Sequence, residues 1–169
     1  MRRLILFRHA KTEVRPPHVD DIDRVLLPRG RGDAAAVGRA LAQAGLAPDL
    51  ALVSPAARAQ ETWELAKPAF PAAQAEIRDG LYNATPEDVE AELAIHDPAA
   101  ATVMVVGHNP SLQELGVNLL IDGGAAPSDI ESLSAGFPTA TAAVFLLDDA
   151  GRASLEALIH ARDHRDAEA

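Results

Sequence analysis

Arg8 with the adjacent His9, Arg58 four residues beyond Ser54, and the quartet Gly107-His108-Asn109-Pro110 are the residues of this chain best suited to chemistry. Guanidinium groups bind oxyanions through paired N–H donors, and a neutral imidazole is a nucleophile or a proton carrier. Two arginines and two histidines together would suit the capture of a phosphate-like anion beside a nitrogen able to attack it. Taken singly, Arg8 reads as a surface ion-pair partner and His9 as a hydrogen-bonded histidine. The set, repeated at separate points of the chain, favours function.

Each of these groups follows a short apolar run. Segments 4–7, 49–54, 102–107 and 141–147 read as buried strands, being continuous, apolar and brief. Helical patterns at 34–44, 56–66, 86–95 and 111–121 lie between them, the first stopped by Gly45. This alternation predicts a single-domain α/β fold, a mostly parallel sheet flanked by helices on both faces. Ligands of such sheets bind at the carboxyl ends of the strands, where Arg8, His9, Arg58 and His108 would meet.

Ser54-Pro55 reads as an N-cap followed by a first-position proline, which puts Arg58 in a first helical turn. A cation there opposes the helix dipole by about 0.3–1 kcal/mol, and a bound anion reverses the sign. Asn109-Pro110 repeats the arrangement after His108, so Asn109 joins the candidate binding residues. Segments 14–30 and 122–138 read as loops, and 148–151 as a turn. The domain is expected to span 1–160, with 161–169 a frayed acidic tail.

With 169 residues, 48% of them hydrophobic and 24% charged, the chain can bury one sizeable core and is no disordered segment. Asp and Glu number 25 against 15 Lys and Arg, a formal charge of −10. So acidic a surface argues against nucleic-acid and anionic-membrane partners. Any anionic ligand needs a local basic pocket working against the global field. The absence of cysteine excludes disulfides, thiolate nucleophiles and zinc–sulfur sites. No apolar run approaches the roughly 18 residues of a membrane span, and the stretch before Arg8 is too short for a signal segment. A cytoplasmic protein, monomeric, is the expectation.

The remaining candidates weigh differently. His18, His96, His160 and His164 read as solvated or capping residues, and Lys11 and Thr12 as exposed loop residues, with contact to a ligand as the alternative. Glu87 and Asp88, after Thr85-Pro86, suit the first turn of a helix, and either could serve as a proton donor if the loop at 80–88 folds over the pocket. Tyr82 stands in the same position.

The stretch from Leu4 through Phe7 to Arg8-His9-Ala10-Lys11 resembles the Arg-His-Gly opening of the histidine phosphatase (phosphoglycerate-mutase-like) superfamily. Within it the chain is similar to the SixA-type phosphohistidine phosphatases. Asp23-Arg24 with Pro28-Arg29-Gly30, the run from Ser54-Pro55 to Arg58 and on to Thr62, Leu81-Tyr82-Asn83-Ala84, Gly107-His108-Asn109-Pro110 and Phe137-Pro138 follow in the same order. The resemblance implies that His9 is the nucleophile and is transiently phosphorylated. It implies that Arg8, Arg58 and His108 complete the phosphate pocket. Ala10 stands where glycine is usual, and Arg15 where mutase-type members carry asparagine, which counts against mutase activity. The short chain also has no room for the large lid insertion of mutases, and an open pocket suits a protein-borne substrate.

The expected reaction is therefore phosphoryl transfer through a phosphohistidine intermediate, with no cofactor and no metal. The expected substrate is the phosphohistidine of a protein partner such as a histidine-phosphotransfer domain. A small phosphate ester (a sugar phosphate or nucleotide) is the alternative. Two further classes stay open: a silent phosphate-binding module, and a metalloenzyme built on His9 and His108 with carboxylates, for which no short-spaced metal motif exists.

Overall fold

Along the first strand, Leu4 and Leu6 alternate with Ile5 and Phe7, and all four are buried, because helices cover both sides of the sheet they enter. In the computed structural model, which describes residues 1–165, this strand is β1 (Arg3–Arg8). The chain continues through α1 (Pro28–Gln43), β2 (Leu50–Val53), α2 (Ala57–Ala66), β3 (Gln74–Ile77) and α3 (Pro86–Ala94). It then forms β4 (Thr102–Gly107), α4 (Ser111–Asp122), α5 (Pro127–Ser134), β5 (Thr141–Leu147) and β6 (Ala153–His160). Short 3-10 turns occupy Asp21–Asp23, Lys67–Ala69, Asp79–Leu81 and Ala161–Asp163.

The strand order is β3-β2-β4-β1-β5-β6. The four strands from β3 to β1 run parallel, and β5 and β6 continue the sheet antiparallel. The sheet is thus mixed rather than uniformly parallel. The antiparallel β5–β6 pair follows from a short turn, which leaves no room for a crossover. Asp148 ties that turn by accepting the Ala150 and Arg152 N–H groups, each at 2.9 Å, while Gly151 takes φ +76°.

Two cores result. Ile5, Phe7, Val53 and Val106 pack with Val37 and Leu41 of α1 and Trp63 of α2. On the other face Leu6, Leu52 and Val105 pack with Val89 of α3, Leu115 of α4 and Leu133 of α5. Each such fully buried apolar side chain contributes roughly 1.5–3 kcal/mol. At Gly38 a β-carbon would lie 2.8 Å from the Ala66 main chain, so α1 and α2 approach more closely than any other residue there would permit.

The four expected strands are present, and two more join them. β3 is exposed along its whole length and β6 carries Glu156 among its apolar residues, so neither has the apolar run that marks a buried strand. The segment expected as a loop at 122–138 contains α5, and α1 starts at Pro28, inside the other expected loop. The polar first turn of α1 is held by tertiary contact: Leu27 N–H donates to the Lys11 carbonyl, and Gly30 lies against the Lys11 main chain. The tail expected to fray from 161 instead begins with a 3-10 turn in which Ala161 is buried, and Arg165 pairs with Asp33 at 2.8 Å. The remainder of that tail, 166–169, lies outside the described residues. Among the described residues no helix is long and apolar enough to cross a membrane.

Candidate active site

Register explains why distant residues meet. Arg8, the last residue of β1, pairs with Gly107 at the end of β4, and Val53 at the end of β2 pairs with Val106. His9, Ser54 and His108 therefore leave the sheet side by side. His9 N–H donates to the Gly107 carbonyl (3.0 Å), Ser54 N–H to the Val106 carbonyl (3.0 Å), and Ala140 N–H to the His9 carbonyl (3.0 Å).

The His9 and His108 rings lie 5.3 Å apart, centroid to centroid. His9 is only 7% exposed, and its Nδ1 faces the Ala10 carbonyl at 2.8 Å. A carbonyl only accepts, so Nδ1 carries the hydrogen and Nε2 keeps its lone pair. Ala10, buried itself, is fixed by its N–H to Thr62 Oγ1 (3.0 Å), and that hydroxyl donates to the Arg58 carbonyl (2.7 Å). One chain of bonds thus joins the segment after His9 to the helix that carries Arg58.

Burial, above all, lowers the His9 pKa to about 3, and the charges of His108, Arg58 and Arg8 add to it; the Ala10 hydrogen bond works the other way. His108 falls to about 4 through burial first and then Arg58, with Asp21 opposing. Both imidazoles are neutral at pH 7.

Arg8 and Arg58 flank them. Arg8 Nη1 donates to the Phe137 carbonyl (2.8 Å), and burial lowers its pKa. Arg58, 6% exposed, donates from Nη1 to the Asp21 carbonyl (2.7 Å) and from Nη2 to Asp21 Oδ2 (3.1 Å). The Nε atoms of Arg8, Arg24 and Arg58 and Nδ1 of His108 are buried with no partner in the protein. An unsatisfied buried donor costs on the order of 1–3 kcal/mol, so a cluster of them marks a place built for an acceptor-rich ligand.

Nothing in the sequence singles out Asp21, one acid among several in an aperiodic polar segment. Folding brings it over the site. Its carboxylate receives Arg58, Arg24 Nη2 (3.1 Å) and the Tyr82 hydroxyl (2.9 Å). Partial burial would raise its pKa, but the hydrogen bond from Tyr82 and the charges of Arg58 and Arg24 outweigh this and hold it below the ordinary carboxylate range. The Tyr82 ring meets His108 edge-on at 5.9 Å and lies under the Arg58 guanidinium.

Two expected helix caps take other forms. α2 begins at Ala57 with Ala56 as its N-cap, so Ser54 is released from capping; it bonds His108 Nε2 at 2.7 Å and accepts the Ala56 N–H at 3.3 Å. Pro110, not Asn109, is the N-cap of α4. The Asn109 amide donates to the Phe137 carbonyl (3.2 Å), the acceptor that Arg8 also uses, and to Gln113 Oε1 (3.3 Å). Arg58 remains in the first turn of its helix.

Glu87 and Asp88 are not gathered with these groups. Asp88 closes a capping box with Thr85, accepting the Thr85 N–H at 2.9 Å while its own N–H reaches Thr85 Oγ1 at 3.2 Å. Glu87 lines a separate depression between α3 and α4. The carboxylate beside the imidazoles is Asp21. Among the described residues no group of three or more His, Asp or Glu side chains converges as a metal cluster would.

A neutral buried imidazole between two guanidinium groups at the carboxyl end of the parallel strands is an arrangement that can hold a phosphoryl group beside a nitrogen lone pair. The chain belongs to the histidine phosphatase superfamily, branch 1, whose family model matches residues 4–99. An uncharacterised protein of Mycobacterium tuberculosis strain H37Rv is 36% identical over 137 residues, 81% of this chain and 84% of that protein. Two solved structures assigned as SixA phosphohistidine phosphatases superpose with TM-scores of 0.82. The Agrobacterium tumefaciens protein is 30% identical, the alignment covering 94% of this chain and 97% of that one. The Nakamurella multipartitia protein is 32% identical over 94% and 95%.

Proposed function

We infer that the protein is a phosphatase that passes its phosphoryl group through His9, and that its substrate is the phosphohistidine of a protein partner. The observation that carries the first half is the lone pair of His9 Nε2, neutral at pH 7, beside the unpartnered donors of Arg8, Arg58 and His108. In the first step Nε2 forms a bond to phosphorus as the bond to the leaving group breaks in line. Arg8 and Arg58 hold the non-bridging oxygens, where charge accumulates in the transition state. Ser54, accepting from Ala56, can donate its own hydrogen to His108 Nε2; His108 then carries its hydrogen on Nδ1 as a further donor. Water next attacks phosphorus, freeing His9 and inorganic phosphate.

The second half rests on Asp21. An alkoxide leaving group needs a proton as the bond breaks, whereas a phosphohistidine already protonated on its second ring nitrogen, a site of imidazole-like basicity with a reference pKa of about 6.5, releases a neutral imidazole without an acid from the enzyme. Asp21, the carboxylate at the site, is held ionised at neutral pH and is a poor acid. Asp88 is bound up in its capping box, and Glu87 lines a separate depression. That combination favours a phosphoramidate over an alkyl phosphate, and the likeness to SixA-type structures points the same way.

The test is phosphate release from a panel holding a phosphorylated histidine-phosphotransfer domain, sugar phosphates and nucleotides, with protein quenched in alkaline denaturant, where a phosphoramidate survives, examined by mass spectrometry. The expected result is fastest turnover of the phosphorylated domain and a labile phosphoryl group on His9. Faster turnover of a sugar phosphate or nucleotide overturns the substrate, and wild-type turnover by His9→Ala overturns the mechanism.

A further inference from the structure

Basic side chains gather beside the site although the chain as a whole is strongly acidic. Two adjoining open depressions, of about 560 and 260 Å³, meet along Pro138, His160 and Arg162, and Arg8 forms the wall that the larger shares with the catalytic pocket. Five of the chain's 15 basic residues line them (Arg8, Lys11, Arg29, Arg162 and Arg165), against one of its 25 acidic residues, Asp33. That acid is 5% exposed and already neutralised: Arg165 Nε reaches it at 2.8 Å and Arg29 at 3.8 Å. The strip therefore bears about four net positive charges on a chain of formal charge −10.

Its charges are also available. Lys11 is exposed and makes no ion pair among the described residues. The Arg162 side chain is 65% exposed and only brushes exposed Asp163 at 3.9 Å, a contact of little energetic weight. Three separate parts of the chain supply them: the loop after β1, the start of α1 and the 3-10 turn after β6. A single phosphate ester fills one pocket. A strip of charge that runs outward from the pocket across two shallow basins matches an extended anionic surface.

We propose that the strip of Lys11, Arg29 and Arg162 is a docking surface for an acidic protein segment flanking the phosphorylated residue of the substrate. The proposal rests on the phosphatase reading above and adds to it the charge of the polypeptide that the site selects. The rest of the enzyme repels such a polypeptide, so the strip orients it, with Arg8 leading from the strip into the phosphate pocket.

The experiment compares kcat/KM for two synthetic phosphohistidine peptides, one flanked by Glu and one by Gln, with p-nitrophenyl phosphate as a reference lacking flanks. The wild type should prefer the Glu peptide about tenfold or more at low ionic strength, and lose the preference at about 0.5 M salt. Lys11→Glu combined with Arg162→Glu should abolish or invert the preference and leave p-nitrophenyl phosphate turnover unchanged. Equal handling of the two peptides, with p-nitrophenyl phosphate still hydrolysed, overturns the docking surface and spares the phosphatase. A preference that survives the double charge reversal overturns it as well. If instead a small phosphate ester bearing a carboxylate loses turnover in Arg162→Glu while the peptides do not, the strip is a small-molecule subsite and the proposal fails. An inert wild type on every phosphate removes the phosphatase reading and this inference with it.

Discussion

Asp21 grips Arg58 twice, through its main-chain carbonyl at 2.7 Å from Nη1 and through its carboxylate at 3.1 Å from Nη2. A phosphoryl dianion entering the pocket thus meets an arginine already paired with a carboxylate. The pairing holds the guanidinium in place, and it sets a like charge against any anion that binds there.

Asp21→Asn keeps the main-chain bond and an acceptor for Tyr82 while removing that charge. At an effective dielectric of about 20 a nearby charge weighs on the order of a kcal/mol or more. Inhibition by inorganic phosphate should therefore tighten about three- to tenfold, as read from competition in steady-state assays. Unchanged or weaker inhibition would mean that the carboxylate matters only for holding Arg58.

Ser54 and His108 test a different link. Ser54→Ala leaves Nε2 of a buried imidazole without its 2.7 Å partner, alongside an Nδ1 that already has none. The ring loses its orientation, and kcat should fall about tenfold or more with KM changed less. Ser54→Thr, which keeps the hydroxyl, should restore much of the loss; a kcat untouched by the alanine would remove His108 orientation from the mechanism.

The depressed histidines make a prediction about acid. In the unfolded chain His9 and His108 bind a proton near pH 6.5, whereas in the folded protein they do so only near pH 3 and 4. Below pH 6.5 the unfolded state holds more protons, so stability rises with pH across that window and is fully present above it. Urea midpoints should fall progressively from pH 6.5 towards 4. His9→Asn combined with His108→Asn should flatten the dependence; a variant as acid-sensitive as the wild type would place the lability in other groups.

Gly38 offers a prediction remote from the chemistry. Gly38→Ala puts a methyl group 2.8 Å from the Ala66 main chain, where no flexible side chain can yield. Despite the higher helix propensity of alanine, the variant should lose about 1–3 kcal/mol in denaturant unfolding. A gain in stability would show that α1 and α2 can separate at little expense.

Much of the site was written locally. Arg8-His9 and Gly107-His108 each follow a continuous apolar run, and β1 and β4 can be buried on both faces only if helices cover the sheet, so the runs themselves announce strand ends that carry chemistry. β3 and β6 carry no such mark. Gln74–Ile77 is exposed throughout, and its strand state comes from pairing with β2, a contact between residues that no local pattern connects. The polar first turn of α1 was hidden for the same reason, being helical because it rests on the Lys11 main chain.

What the sequence by itself determined, then, is which side chains could bind and attack an anion and at which strand ends they sit, since burial of a short apolar run is a local property. Only the tertiary structure decided that Asp21 would lie over Arg58, that Ser54 would serve His108 rather than cap a helix, and that the basic residues of β1, α1 and the turn after β6 would form one strip. These are relations between chain segments tens of residues apart. They depend on register and packing, which the order of residues fixes only through the whole fold.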